Sequence, residues 1–103
     1  MVYYSQIAED DFYDIVVGLA TWERHPLGYD FAIQYVADIR NVCDKLSYKP
    51  IHLNATYEIH KKYGEKAHIY KRNNTTSWYI IYNIDEKGNI FINKIISNYL
   101  TQI

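Results

Sequence analysis

The order of patterns along this 103-residue chain predicts an α+β domain: an N-terminal strand, an antiparallel helix pair, then a mainly antiparallel C-terminal β-sheet. Three observations carry that prediction. Apolar residues recur at helical spacing twice in the first half of the chain. Three strand-like runs, residues 68–72, 78–84 and 89–97, fill the second half. The last two runs flank a polar turn, Asp85-Glu86-Lys87-Gly88-Asn89, and so read as a hairpin.

Each element has a local reason. Residues 2–4 are short and apolar, an opening strand. Ser5 is placed to cap a helix, and Glu9, Asp10 and Asp11 favour its positive start. Ala8, Phe12, Ile15, Val16 and Leu19 then form one apolar stripe, with Gly18 weakening the last turn. The stretch from Trp22 to Gly28 contains Pro26 and reads as a connection. From about Asp30, Ala32, Tyr35, Val36, Ile39, Val42, Cys43 and Leu46 form a longer stripe, which Pro50 closes. A short link between two amphipathic helices predicts an antiparallel pair.

Residues 51–67 carry a weaker pattern, with a brief strand expected at 56–59 and a turn at Gly64. In the next run Ile69 is expected to point inward, leaving His68, Tyr70 and Arg72 outward. In residues 78–84 the core face is Trp78, Ile80, Tyr82 and Ile84, against Tyr79, Ile81 and Asn83. The last run sets Ile90, Ile92 and Ile96 against Phe91 and Ile95, so it is expected to be central or covered on both sides. One sheet face is thus expected to meet the helices and the other to be free for a partner.

Composition narrows the function. One domain, residues 1–103, fits the length, and a hydrophobic fraction of 49% supports a core without disulfide or metal staples. No apolar run reaches the ~20 residues that span a bilayer. The start, Met-Val-Tyr-Tyr-Ser before acidic residues, lacks the pattern of a secretory signal, so a cytoplasmic location is expected. Asn-x-Thr matches such as those at Asn54 and Asn74 then carry no glycosylation meaning. Cys43 is the single cysteine and lies on the apolar stripe, which reads as a buried structural thiol rather than a nucleophile. Residues 1–48 hold three basic and eight acidic side chains, a net of −5; residues 49–103 hold eight and four, a net of +4. The second half is therefore the side for an anionic or acidic partner, while a total of −1 argues against strong non-specific nucleic-acid binding.

Strand, two helices and a terminal antiparallel sheet resemble the RelE/ParE toxins of bacterial type II toxin–antitoxin modules. The most specific piece is Trp78-Tyr79-Ile80-Ile81-Tyr82-Asn83-Ile84-Asp85, followed by Gly88-Asn89-Ile90-Phe91-Ile92. It is similar to the family's aromatic-Arg-aliphatic-aliphatic-Tyr-x-Ile-Asp strand and its isoleucine-rich final strand. Leu46 to Pro50 resembles the Leu-x-x-x-Pro end of the family's second helix. The likeness spans almost the whole chain. It implies a toxin-like protein neutralised by a cognate antitoxin, with the ribosome and its messenger RNA or DNA gyrase as target, and no cofactor.

Ribosome-dependent members of that family cleave messenger RNA with dispersed basic and aromatic side chains. Cations hold the scissile phosphate, and a general acid or base serves the 2′-hydroxyl. By resemblance Arg72 matches a basic residue ending the family's second strand, and Tyr99 lies near its C-terminal catalytic tyrosine or histidine. Tyr79 and Asn98 stand where two arginines are usual, a departure from the nuclease pattern. The expected catalytic set is His68, Tyr70, Arg72 and Tyr99, and the expected nucleic-acid or partner contacts are Lys61, Lys62, Lys71, Tyr79, Lys94 and Asn98. The alternative is a degenerate, non-toxic RelE/ParE-like binding protein without catalysis.

These residues also have plainer readings. Residues 57–72 interleave lysines with tyrosines, which suits either an RNA or ribosome contact strip or a solvated surface. His68 is the best of four histidines for acid–base work; His25, His52, His60 and His68 show no metal spacing. Tyr79 suits either stacking on a base or cover by a partner peptide. Lys94 interrupts an apolar strand and needs solvent, a partner or an anion.

Overall fold

The start of the chain is fixed by Ser5, whose hydroxyl oxygen accepts the Ala8 amide at 3.0 Å and so caps the first helix. Its own amide donates to Ile92 O at 2.9 Å, and its hydroxyl donates to Asn93 O at 3.2 Å. One residue thus ends β1 (Val2–Tyr4), begins α1 (Gln6–Ala20) and ties both to β4 (Ile90–Ser97). In the computed structural model, which describes residues 1–22 and 28–98, α1 buries Ala8, Phe12 and Ala20.

The second helix, α2 (Tyr29–Asp44), follows Gly28, whose φ of 84° is a left-handed conformation that glycine adopts without strain. It buries Ala32, Tyr35, Val36, Ile39 and Cys43. The Arg40 guanidinium, late in α2, meets Glu9 at 2.5 Å and lies 4.4 Å from the Phe12 ring, so the helices run antiparallel as expected. Pro50 does not end this helix. It stops at Asp44 because the next turn tightens to a 3-10 form over Leu46–Tyr48, which carries Leu46 into the core at 1% exposure.

The sheet order is β1-β4-β3-β2, with β2 (Lys66–Lys71) and β3 (Ser77–Ile84) completing it. β2–β3 and β3–β4 are antiparallel, whereas β1 joins β4 in parallel, so the sheet is mixed. The long connection between these two strands, which includes both helices, leaves room for the parallel pairing. A bulge interrupts β3–β4: Ile81 faces Lys94 and Tyr82 faces Ile92, leaving Asn93 as the extra residue. The bulge exchanges the expected faces. Ile95 joins Ile90 and Ile92 in the helix-side core opposite Ile80, and Ile96 pairs with Tyr79 on the other face.

β2 also lies the other way round from the expectation. His68 pairs with Ile80 and Tyr70 with Trp78, which puts both on the helix side, while Ile69 sits opposite Tyr79 and is 51% exposed. Tyr70 offers more apolar surface to the core than Ile69 does, and Arg72 just beyond the strand finds Asp38 on α2. The strand expected at 56–59 is absent. Asn54 makes an isolated bridge to Lys66, and a single helical turn, α3 (Glu58–Lys61), follows.

That segment changes the character of the second face. His60 of α3 packs 4.6 Å from the Tyr79 ring, Asn93 Nδ2 donates to Tyr63 O at 2.8 Å, and the Glu65 amide donates to Asn83 Oδ1 at 2.8 Å. The middle of the face, Ile81 and Ile96, is buried by the chain itself, contrary to the free face expected. Its margins stay open: Tyr3 and Phe91 stack at 5.3 Å beside β1, and Ile69 stands out beside β2.

Gly64 is the close-approach point of this cover, since a Cβ there would meet Tyr82 O at 3.0 Å and Ile81 Cγ2 at 3.1 Å. Gly64→Ala should lower stability by about 1–3 kcal/mol in urea unfolding. Gly18→Ala, in α1 with nothing within 4 Å of its Cβ, should raise it by about 0.5–1 kcal/mol. Equal effects of the two substitutions would refute the packing described.

Candidate functional site

The expected site residues divide into three groups rather than one pocket. The first lies on the helix side by β2. Arg72 is ion-paired with Asp38 and lies 4.3 Å from the centre of the Tyr35 ring, whose hydroxyl accepts Trp78 Nε1 at 2.8 Å. Hydrogen bonds from Arg72 and then Gln34 hold the Asp38 carboxyl below the usual carboxylate range. His68 is half-buried on the same face, and burial followed by the charge of Lys49 depresses its pKa. It is therefore neutral at pH 7, and Tyr70 beside it packs on the core.

Lys94 belongs to the second group, beside the middle of α1. Its ammonium meets Asp11 Oδ1 at 2.8 Å, and the other oxygen of that carboxylate accepts the Ile95 amide at 2.9 Å. Both side chains are largely buried, at 20% and 13% exposure. Of the three expected ways to satisfy this charge, solvent, a partner or an anion, the chain itself supplies a carboxylate partner. Beside this pair, α1 and β4 border an open cleft of about 420 Å³ with mainly apolar walls, including Ile15, Leu19 and Trp78. Asn98 is near the same strand end, where its Oδ1 accepts the Ser77 amide at 3.0 Å and its Nδ2 donates to Thr75 O at 3.2 Å.

The third group is the second face with its cover. Tyr79 lies beneath His60 and Tyr57, 4.6 and 6.1 Å away, so the cover comes from this chain. Burial and then Tyr57 push its phenol above the ordinary value. Lys61 and Lys62 are exposed on the cover, the first paired with Glu58 at 3.2 Å and the second 5.3 Å from the Tyr63 ring. Lys71 is exposed at the end of β2. Tyr99 and His25 lie outside the described residues.

No family model matches this chain, and no curated protein matches it. Among the described residues no group of three His, Cys, Asp or Glu side chains could hold a metal ion, and no helix is long and apolar enough to cross a membrane. Cys43 is fully buried and its thiol is pushed up to about 12, chiefly by burial, which keeps it from acting as a nucleophile at neutral pH.

Several lysines gather around β2, with the exposed carboxylates of Glu58 and Glu65 beside them. Lys66 reaches Asn54 Oδ1 at 2.6 Å, Lys61 borders a shallow hollow with Asn54, Lys49 acts on His68, and Lys71 closes the strand. Three contributions were missed from sequence. His52 Nδ1 meets the Tyr82 hydroxyl at 2.7 Å, His60 is buried under the cover, and Asp11 serves the β4 edge. Only Asp11 gave a signal, as an acid in the first turns of α1, and there it suited the helix start equally well.

Asp11→Ala should cost about 2 kcal/mol in chemical denaturation, because it strands the Ile95 amide and leaves the largely buried Lys94 without its carboxylate. Lys94→Met should cost clearly less, since Asp11 keeps its amide hydrogen bond. The reverse order of the two effects would overturn this account of the pair.

Proposed function

We propose that this chain is the toxin-like component of a type II toxin–antitoxin module, neutralised by a cognate antitoxin, and that it acts on translation through the basic margin of β2. The observation that carries the reading is the lysine-rich edge of β2, with Lys49, Lys61, Lys66 and Lys71 beside exposed Tyr57 and Ile69. Lysines among exposed rings suit phosphates with unpaired bases, as on ribosomal or messenger RNA. The RelE/ParE-like strand signature and element order support the same assignment. The margins of the second face, with Tyr3, Phe91 and Ile69 exposed, give an antitoxin segment apolar surface to cover.

A second reading, a non-toxic binding protein of the same type, is favoured by one specific observation. Arg72 and Lys94, the cations best placed by resemblance to handle a scissile phosphate, are each held by a carboxylate. The two readings separate on induction of the protein alone. The first expects growth arrest, relieved by co-expression of the neighbouring small open reading frame, with new messenger RNA ends inside codons. Lys61→Glu with Lys71→Glu should relieve the arrest and move the melting temperature by only a few degrees, as surface substitutions do. Harmless induction would sink the first reading and support the second. Arrest with intact transcripts and inhibited supercoiling by purified gyrase would move the target from RNA to gyrase.

A further inference from the structure

We propose that residues 54–65 form an acid-releasable cover over the second face of the sheet, with His60 as its trigger. His60 is 1% exposed, yet among the described residues neither of its ring nitrogens has a hydrogen-bond partner. Its surroundings are aromatic: the Tyr79 ring at 4.6 Å and the Tyr57 ring at 5.4 Å. A neutral imidazole tolerates this setting at a cost. An imidazolium carries two N–H donors and a full charge, and burying it without an acceptor is far more unfavourable.

Among the described residues no carboxylate pairs with that charge, and two phenol rings offset only part of the cost of burying it. The titratable groups facing His60 are the phenols of Tyr57, on the cover, and Tyr79, on β3; the second is pushed above its ordinary value and stays neutral in acid. On α3 itself Glu58 and Lys61 pair with each other at 3.2 Å. On β4 Lys94 is committed to Asp11, and from β2 the residue beside Tyr79 is the uncharged Ile69. Burial accordingly depresses the His60 pKa.

The cover is also built to move separately from the core. It consists of one helical turn, an isolated bridge at Asn54, and bonds such as Ala55 N to Glu65 O and Glu65 N to Asn83 Oδ1, both 2.8 Å. The helix-side core lies on the opposite face of the sheet, and none of residues 54–65 belongs to it. Release would uncover Tyr79, Ile81 and Ile96, an apolar surface closed to partners while His60 is neutral.

The direction of the pH effect follows from linkage. The imidazole titrates near 6.5 when the cover is open and lower when it is closed, so closure is fully favoured above about 6.5 and weakens as pH falls through that value. Between pH 7.5 and 5.0 the binding of one proton raises the opening equilibrium by up to about thirtyfold.

Hydrogen exchange of the full chain at those two pH values tests this, with protection factors corrected for intrinsic rates. The amides of Ala55, His60, Lys61, Tyr63 and Glu65 should lose protection by up to about thirtyfold at pH 5.0, while those of α1 and α2 keep theirs. His60→Phe, or His60→Leu if the first does not fold, should abolish the difference. Unchanged protection in the wild-type protein would overturn the proposal. So would an undiminished acid response in either variant, which would assign it to His52 or His68. If neither variant folds, NMR titration of the wild-type His60 ring decides: a pKa at or above 6.5 refutes the trigger, and one well below it upholds it.

Discussion

β4 runs for eight residues, but its parallel neighbour β1 covers only three of them. Much of the rest depends on how the uncovered edge is satisfied, because buried backbone groups need partners. Ser5 serves Ile92 and Asn93, and Asp11 serves Ile95, so α1 takes over as the edge partner where β1 ends. The helix is fixed in position by these polar bonds as well as by its apolar stripe. The bulge at Asn93 belongs to the same arrangement, since it turns Ile95 toward the helices and brings Lys94 within reach of Asp11.

This constraint reassigns two cations that the pattern of residue types offers to a ligand. Lys94 balances a carboxylate whose other oxygen holds the sheet edge, and Arg72 links the end of β2 to α2 while stacking on Tyr35. A phosphate site built from them would have to break structural pairs first. The lysines along the outer edge of β2 carry no such commitment to the core, so an anion there gains attraction without loss of packing. Salt should weaken such contacts more than it weakens Lys94–Asp11, whose partners are largely withdrawn from water.

The elements legible in the sequence were those with long, single-period patterns. The stripes of α1 and α2, the Ser5 cap and the Trp78, Ile80, Tyr82, Ile84 face of β3 all stand as read. The faces of β2 and of the second half of β4 do not. In Lys66–Lys71 both faces mix apolar and polar groups, and a tyrosine can serve as core or surface. In β4 isoleucines occur on both faces, and one inserted residue inverts every assignment beyond it. Alternation cannot announce a bulge when both alternatives are apolar.

The cover over the second face was illegible for a different reason. Residues 54–65 have no sustained periodicity, and their hold on the sheet comes from single groups: the Tyr63 carbonyl, the Glu65 amide, the Gly64 backbone and the His60 ring. Such a segment buries apolar surface without showing an apolar pattern of its own. Its consequence is functional, because it moves the accessible surface from the centre of the sheet to its rims. Tyr79 cannot stack on a base or a partner while His60 and Tyr57 lie over it. A ligand that stays outside the closed cover must use the exposed lysines and apolar side chains at the margins; one that reaches the sheet centre must first displace an imidazole whose neutrality keeps it there.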